Sequence, residues 1–291
     1  MGAAQRFQRM CIIGVGLIGG SLARAARHAG AVGEVVGCGR TAEHLQRAVD
    51  LGVIDRFYTD PAEAVTGADL VVLAVPLGAM EAILAAIRDH LSASAVVTDV
   101  GSAKASVVRA AEAVFGVLPP RFVPGHPIAG TERSGVEASF AELFQERRVI
   151  LTPTRDTDPE ALSQVRSLWE ATGAEVVDMD IAHHDEILAA TSHLPHVLAY
   201  TLVDTLAGMG EREEIFEYAA GGFRDFTRIA SSDPLMWRDI CLANGDAILA
   251  VVDQFRAELS EVVEAIRGGD GAELLEIFER AKAARDRYGE R

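Results

Sequence analysis

Cysteine, lysine and long apolar runs are what this chain has least of. Its three cysteines, Cys11, Cys38 and Cys241, are odd in number and far apart. That argues against a disulfide framework, matches no metal-ligand spacing, and leads us to expect free thiols in a reducing cytoplasm. Only Lys104 and Lys282 are lysines among 27 basic residues, so a lysine inside a motif is unlike the arginine-rich surface around it. No uninterrupted apolar stretch reaches the roughly 18 residues of a membrane span. The first apolar run, 10–18, holds two glycines and no cleavage pattern, which argues against a signal peptide. Positive charge is short too: 43 acidic residues against 27 basic leave a net charge of −16. Such a surface repels a phosphate backbone, so general nucleic-acid binding is not expected.

What is present is a chain of 291 residues, 49% of them hydrophobic, enough for two domains. Short β-branched runs at 9–14, 34–37, 70–75, 95–99, 122–124, 148–152 and 175–179 alternate with amphipathic stretches at 21–29, 42–51, 80–89, 104–114 and 159–172. This alternation predicts an α/β domain, residues 1–180, with a parallel sheet covered by helices on both faces. After residue 180 strand signals stop. Helical patterns at 182–209, 235–266 and 272–288 predict an all-helical domain, residues 181–291. A half so apolar is expected to pack on a copy of itself, giving a homodimer. The last helix ends near Tyr288, so no appended regulatory domain is expected.

The segment Cys11-Ile-Ile-Gly14-Val-Gly16-Leu17-Ile18-Gly19-Gly20-Ser21 follows a strand and opens a helix. A lone GxGxxG is weak evidence, but in this context each glycine has a job. Gly14 permits the tight turn, Gly16 lets the backbone approach a pyrophosphate, and Gly19 lets the helix sit close on the strand. The N–H groups of the first helical turn then face the phosphates. At the end of the second strand an NAD enzyme places a carboxylate on the ribose, whereas this chain reads Gly39-Arg40-Thr41. Arginine there pairs with a 2′-phosphate, so NADP is the expected cofactor; stacking of Arg40 on adenine would admit NAD as well. Val75 and Pro76 fall where the fourth strand ends, beside the nicotinamide ribose.

A hydride-transferring enzyme also needs a hydrogen-bond acceptor at the carbinol and fixed positive charge for an anionic substrate. Three segments carry such residues. In Asp99-Val-Gly101-Ser102-Ala-Lys104, Ser102 either caps a helix or faces the cofactor crevice. In Pro124-Gly125-His126-Pro127-Ile-Ala-Gly-Thr131-Glu132, His126 is expected in a stiff loop as a functional residue. In Thr191-Ser192-His193-Leu-Pro-His196, Ser192 and His196 share a helical face. His183 and His184 read as surface residues or helix-start contacts. No spacing supports a metal site, and none is expected. A glycine-flanked loop, Gly221-Gly222-Phe223-Arg224-Asp225-Phe226-Thr227-Arg228, adds two arginines suited to carboxylates, with one expected to pair with a neighbouring acid.

Taken in order, the glycine loop, Gly-Ser-x-Lys, Gly-His-Pro-Ile-Ala-Gly-Thr-Glu-x-Ser-Gly-Val, Ser-His-Leu-Pro-His, Gly-Gly-Phe-Arg-Asp-Phe-Thr-Arg and Asp233-Pro-Leu-Met-Trp237-Arg-Asp resemble the prephenate/arogenate dehydrogenases. The matching segments run from Cys11 to Asp239. The resemblance implies oxidative decarboxylation of prephenate, with arogenate as the alternative substrate. It implies His126 as the catalytic histidine, Ser102 as its orienting serine and Arg228 as the ligand of the ring carboxylate. Ser192, His196, Thr131, Trp237 and Gly221 would line the substrate pocket, the last two as contributions of the partner subunit. A helical dimerisation domain is implied for the second half. A 3-hydroxyacid or imine reductase is the rival reading, but it calls for a lysine in the helical domain, where only Lys282 is present.

Overall fold

The fold is that of a computed structural model in which residues 7–209 and 214–289 are described. Phe7–Ile13 (β1) leads into Leu17–His28 (α1), followed by Val32–Cys38 (β2), Ala42–Asp50 (α2), Arg56–Tyr58 (β3), Pro61–Val65 (α3), Leu70–Leu73 (β4), Met80–Ile87 (α4), Val96–Asp99 (β5), Lys104–Phe115 (α5) and Phe122–Val123 (β6). The six strands pair in the order β3-β2-β1-β4-β5-β6, all parallel. The order reverses between β1 and β4, which opens a crevice at the carboxyl ends of those strands.

Strand β4 shows why the sequence runs are continuously apolar. All four residues of Leu70-Val-Val-Leu73 are fully buried, with Leu70 and Val72 in one core layer and Val71 and Leu73 in the other. A parallel strand covered on both faces has no polar side to alternate with.

The strands after β6 depart from the expected single sheet. Gly125–Pro127 (β7), Arg148–Leu151 (β8) and Glu175–Asp178 (β9) form a separate three-stranded sheet in which β7 runs antiparallel to β8, and Pro159–Ala171 (α6) precedes β9. His126 therefore sits in a strand, opposite Ile150, and not in a loop. Two strands, β3 and β7, carried no sequence signal of their own, because three-residue strands are too short to show a period.

Helices Ile181–Leu188 (α7), Leu194–Ala207 (α8), Glu214–Glu217 (α9), Gly221–Thr227 (α10), Pro234–Ala243 (α11), Gly245–Gly268 (α12) and Gly271–Gly289 (α13) follow. The single helix expected over 182–209 is interrupted by a π-helical turn, Ala189–His193. Pro195, which lacks an N–H, lies in the first turn of the next helix, and one wider turn accommodates the lost ladder bond. The Gly221–Arg228 segment is a helix rather than the expected glycine-rich loop.

By compactness the chain divides into Met1–Gly245 and Asp246–Arg291. Residue 180 is where the strands stop, yet helices from 181 to 245 belong to the first unit: α7 packs on α5, and α11 packs on the turn Leu77–Ala79. In the second unit Leu249, Leu259, Ile266, Leu275 and Phe278 are all exposed. Among the described residues, no helix is long and apolar enough to cross a membrane.

Candidate active site

The glycine loop has the shape a dinucleotide needs. Gly14 has φ +100°, and a Cβ there would lie 2.1 Å from the carbonyl oxygen of Ala74. A Cβ on Gly19 would meet the Gly14 oxygen at 2.3 Å, whereas around Gly16 there is open space. Gly16 is the N-cap of α1, and no side chain caps that helix. Leu17 and Ile18 pack against the core, so the first-turn N–H groups are left for an anion. Val75 and Pro76 line the end of β4, with the Ala74 N–H donating to the Ile13 carbonyl at 2.8 Å. The residues present thus fit a pyrophosphate and the nicotinamide half of a dinucleotide. At the far end Arg40 is exposed, and Thr41 is the N-cap of α2 without a side-chain cap bond.

Lys104, at the start of α5, is wholly buried. Its ammonium donates to the Asp99 carboxylate and, at 2.6 Å, to the Gly125 carbonyl. Asp99 also accepts the N–H of Gly101 at 2.7 Å and of Gly125 at 3.1 Å. Both polar groups of the Gly125 backbone are therefore gripped, the N–H from the end of β5 and the carbonyl from the start of α5, and that grip sets the position of His126. Burial pulls the Lys104 pKa down, against the opposing pull of Asp99.

His126 is 8% exposed. Its Nδ1 lies 2.9 Å from Nε2 of His184, whose Nδ1 lies 2.8 Å from a carboxylate oxygen of Asp185. Asp185 in turn accepts the N–H groups of Lys104 at 2.7 Å and Ala105 at 2.9 Å. It thus caps α5 from 81 residues away. Burial raises the Asp185 pKa, but the bonds from His184 and the two N–H groups outweigh it and hold the carboxyl below its ordinary range. The N-cap position of α5 is Ala103, with no side-chain cap of its own, so Ser102 does not cap this helix and lies half-buried between Gly101 and Ala103.

A second histidine cluster continues from Asp185. The Asn244 amide donates to the Asp185 carbonyl at 2.8 Å and to His193 Nδ1 at 3.1 Å. His196 Nδ1 donates to the Ser192 carbonyl at 2.9 Å, and its ring stacks on Trp237 at 3.6 Å. Trp237 therefore stands beside His193 and His196 of its own chain. Nε1 of Trp237 is buried and has no hydrogen-bond partner among the described residues, whereas the buried His193 ring has the Ser102 backbone beside it. Asp239, on the same helix as Trp237, accepts the Gly78 N–H at 3.2 Å and so ties α11 to the end of β4.

The remaining expected residues lie at the rim. Arg228 forms an ion pair with Glu132, which joins it to the loop that follows His126. The pairing falls on Arg228 rather than Arg224. Thr131 is exposed, and its hydroxyl is engaged with the Arg133 backbone at 3.2 Å. Gly221 is exposed at the start of α10. Among the described residues no set of three His, Cys, Asp or Glu converges as metal ligands.

Lys104, His184, Asp185, His193 and Asn244 were not singled out from sequence as site residues. The usable signal was the His183-His184-Asp185 run at a helix start. One of those histidines faces solvent while the other is fully buried, a difference of helical phase that only packing reveals.

Burial, with the nearby His184, Lys104 and His193, holds the His126 pKa well below 6.5. For His193, burial leads, His184 and His196 add to it, Asp185 opposes, and the value falls to about 4. Both rings are therefore neutral when folded, whereas unfolded they bind protons near pH 6.5. Their contribution to stability is complete above the unfolded value and is lost as pH falls from there toward 4. Calorimetric melting should show the midpoint dropping across this acid window. A midpoint that stays level would mean that both rings take up protons in the folded state.

Two family models match the chain in succession. The family model described as prephenate dehydrogenase, nucleotide-binding domain, matches residues 22–178, and the one described as prephenate dehydrogenase, dimerization domain, matches residues 180–280. A cyclohexadienyl dehydrogenase of Zymomonas mobilis is 42% identical over 285 residues, covering 96% of this chain and 95% of that one. The crystal structure of prephenate dehydrogenase from A. aeolicus in complex with hydroxyphenyl propionate and NAD+ superposes with a TM-score of 0.89 at 41% identity, covering 97% of this chain and 98% of that one. Synechocystis arogenate dehydrogenase has a TM-score of 0.78 at 29% identity, covering 97% and 100%. With both halves matched in order and a parallel-sheet crevice lined as described, the chain is a member of the prephenate dehydrogenase family.

Proposed function

We propose that the chain is an NAD(P)-dependent dehydrogenase that converts prephenate to 4-hydroxyphenylpyruvate, working as a homodimer. The observation that carries this reading is His126: a buried, neutral imidazole held at the crevice edge by one hydrogen bond at Nδ1, with no described partner at Nε2.

Gly14, Gly16, Gly19, Val75 and Pro76 would hold a nicotinamide dinucleotide, which would supply the acceptor for the hydride of the ring carbinol carbon. His126 Nε2 accepts the hydroxyl proton as that hydride leaves, and Ser102 touches the same hydroxyl. Loss of carbon dioxide then makes the ring aromatic, and the proton returns from His126 to the phenolate oxygen, so the protein neither gains nor loses a proton over the cycle. Aromatisation supplies the driving force, and the side chains position and polarise. Arg228, already presented to a carboxylate by Glu132, receives the ring carboxylate. Trp237, with Ser192, His196, Thr131 and Gly221, takes the side chain. The division into a dinucleotide domain, 1–180, and a helical substrate and dimerisation domain, 181–291, belongs to this reading. A second copy would cover the exposed Leu249, Leu259, Ile266 and Phe278.

For the cofactor, Arg40 and Thr41 support NADP, since the β2 end has no carboxylate to repel a 2′-phosphate. Nicotinamide absorbance with prephenate or arogenate, each with NAD and NADP, tests the whole reading; no reduction with any pair would sink it. In the same assay Arg228→Ala should lower kcat/KM about 30-fold, chiefly through KM, equivalent to about 2 kcal/mol for a charge contact at a half-open rim. An unchanged KM would transfer the role to Arg224.

A further inference from the structure

We propose that His184 and Asp185 are positioning residues that fix the proton of His126 on Nδ1 and so present its Nε2 lone pair to the substrate hydroxyl. The inference rests on the catalytic role proposed for His126 but concerns groups behind it. The hydrogen-bonded series His126–His184–Asp185 ends on an acceptor. Asp185 takes two backbone N–H bonds from the first turn of α5, a place that favours a carboxylate. An acceptor so held can only receive from His184, so Nδ1 of His184 carries a proton. A neutral imidazole has one N–H, which leaves a lone pair on Nε2 of His184. The facing atom, Nδ1 of His126 at 2.9 Å, must then donate, and Nε2 of His126 is left as the acceptor.

The surroundings favour this direction. The groups facing the pair are Asp99 of β5, Lys104 of α5, Asp185 of α7 and His193 of the π-helical turn. Lys104 already satisfies Asp99, so Asp185 is the anion available to the two imidazoles. When the hydroxyl proton reaches Nε2, His126 carries a positive charge. Its Nδ1 proton can move toward His184, which brings that charge next to the Asp185 carboxylate. The return of the Nε2 proton to the phenolate reverses the shift.

The test uses Asp185→Asn and His184→Phe in the full-length enzyme. Long-range ¹⁵N–¹H correlation spectra of the protein alone report the His126 tautomer, and steady-state assays report kcat and KM. The wild type should show His126 protonated at Nδ1. In Asp185→Asn the amide can donate to His184, and His126 should change to Nε2–H. In both variants kcat should fall about 10²–10⁴-fold with little change in dinucleotide affinity. Asp185→Asn also weakens the cap on α5, so His184→Phe, which leaves the cap intact, decides if the first variant folds poorly. An Nε2–H tautomer in the wild type overturns the proposal, as a cationic His184 would produce. So does a fall in kcat with the His126 tautomer unchanged, since the loss would then be one of packing. A wild type that fails to oxidise prephenate would sink the functional reading and leave the tautomer result standing.

Discussion

Replacement of His126 by asparagine is expected to lower kcat by about 10²–10⁴-fold while dinucleotide binding stays intact, as for loss of a general base. The position tolerates the change structurally. His126 is the middle residue of a short strand and pairs in register with Ile150, so the backbone is held whatever the side chain. Asparagine keeps a polar atom toward His184 but offers no basic nitrogen to the hydroxyl. Because burial and its cationic or ring neighbours hold the His126 pKa well below 6.5, the wild-type enzyme should keep the base unprotonated throughout the neutral range. Activity should therefore fall only on the acid side, below the ordinary histidine range. Dinucleotide affinity is measured by fluorescence titration and kcat by steady-state kinetics. Undiminished turnover in His126→Asn would remove this residue from the chemistry.

Lys104→Met should cost more in stability than any surface substitution, about 3–5 kcal/mol, because it leaves a buried carboxylate without its counter-charge. Both partners of the pair are fully buried, and Asp99 would retain only its two backbone donors. Against a total stability of about 5–15 kcal/mol, this brings the chain near the threshold for folding. The variant should also lose activity, since the ammonium holds the Gly125 carbonyl just before the catalytic histidine. Urea titration measures the loss. Addition of Asp99→Asn should recover part of it, because the pair is coupled. If the single variant melts like the wild type, the ion pair is not what stabilises the junction of β5 and β7.

The parallel-sheet half was legible because its signals are local. Apolar runs bounded by helical stretches mark β1, β2, β4 and β5, and three glycines mark the turn into α1. His126, Ser102, Arg228, His196 and Trp237 stood out through unusual residues in unusual settings. Lys104 also drew notice, as one of two lysines, though nothing in its neighbours named Asp99 and Gly125 as its partners. The strand around His126, the π-helical turn after Leu188 and the break at Asn244 that splits the expected 235–266 helix into α11 and α12 were not legible. Each depends on contacts with residues distant in sequence.

Composition and pattern alone determined the dinucleotide turn, the order of the parallel strands' building blocks, the switch to helices after residue 180 and the residue types available for chemistry. These follow from backbone sterics and from periodicity over a few neighbouring residues, which a linear string records. Tertiary structure decided which histidine is buried, which acid caps α5 and how His126, His184 and Asp185 line up. Those choices depend on the rotation of α7 about its axis against α5. Its hydrogen-bonding partners lie about 60 to 80 residues away, and no local rule specifies that phase.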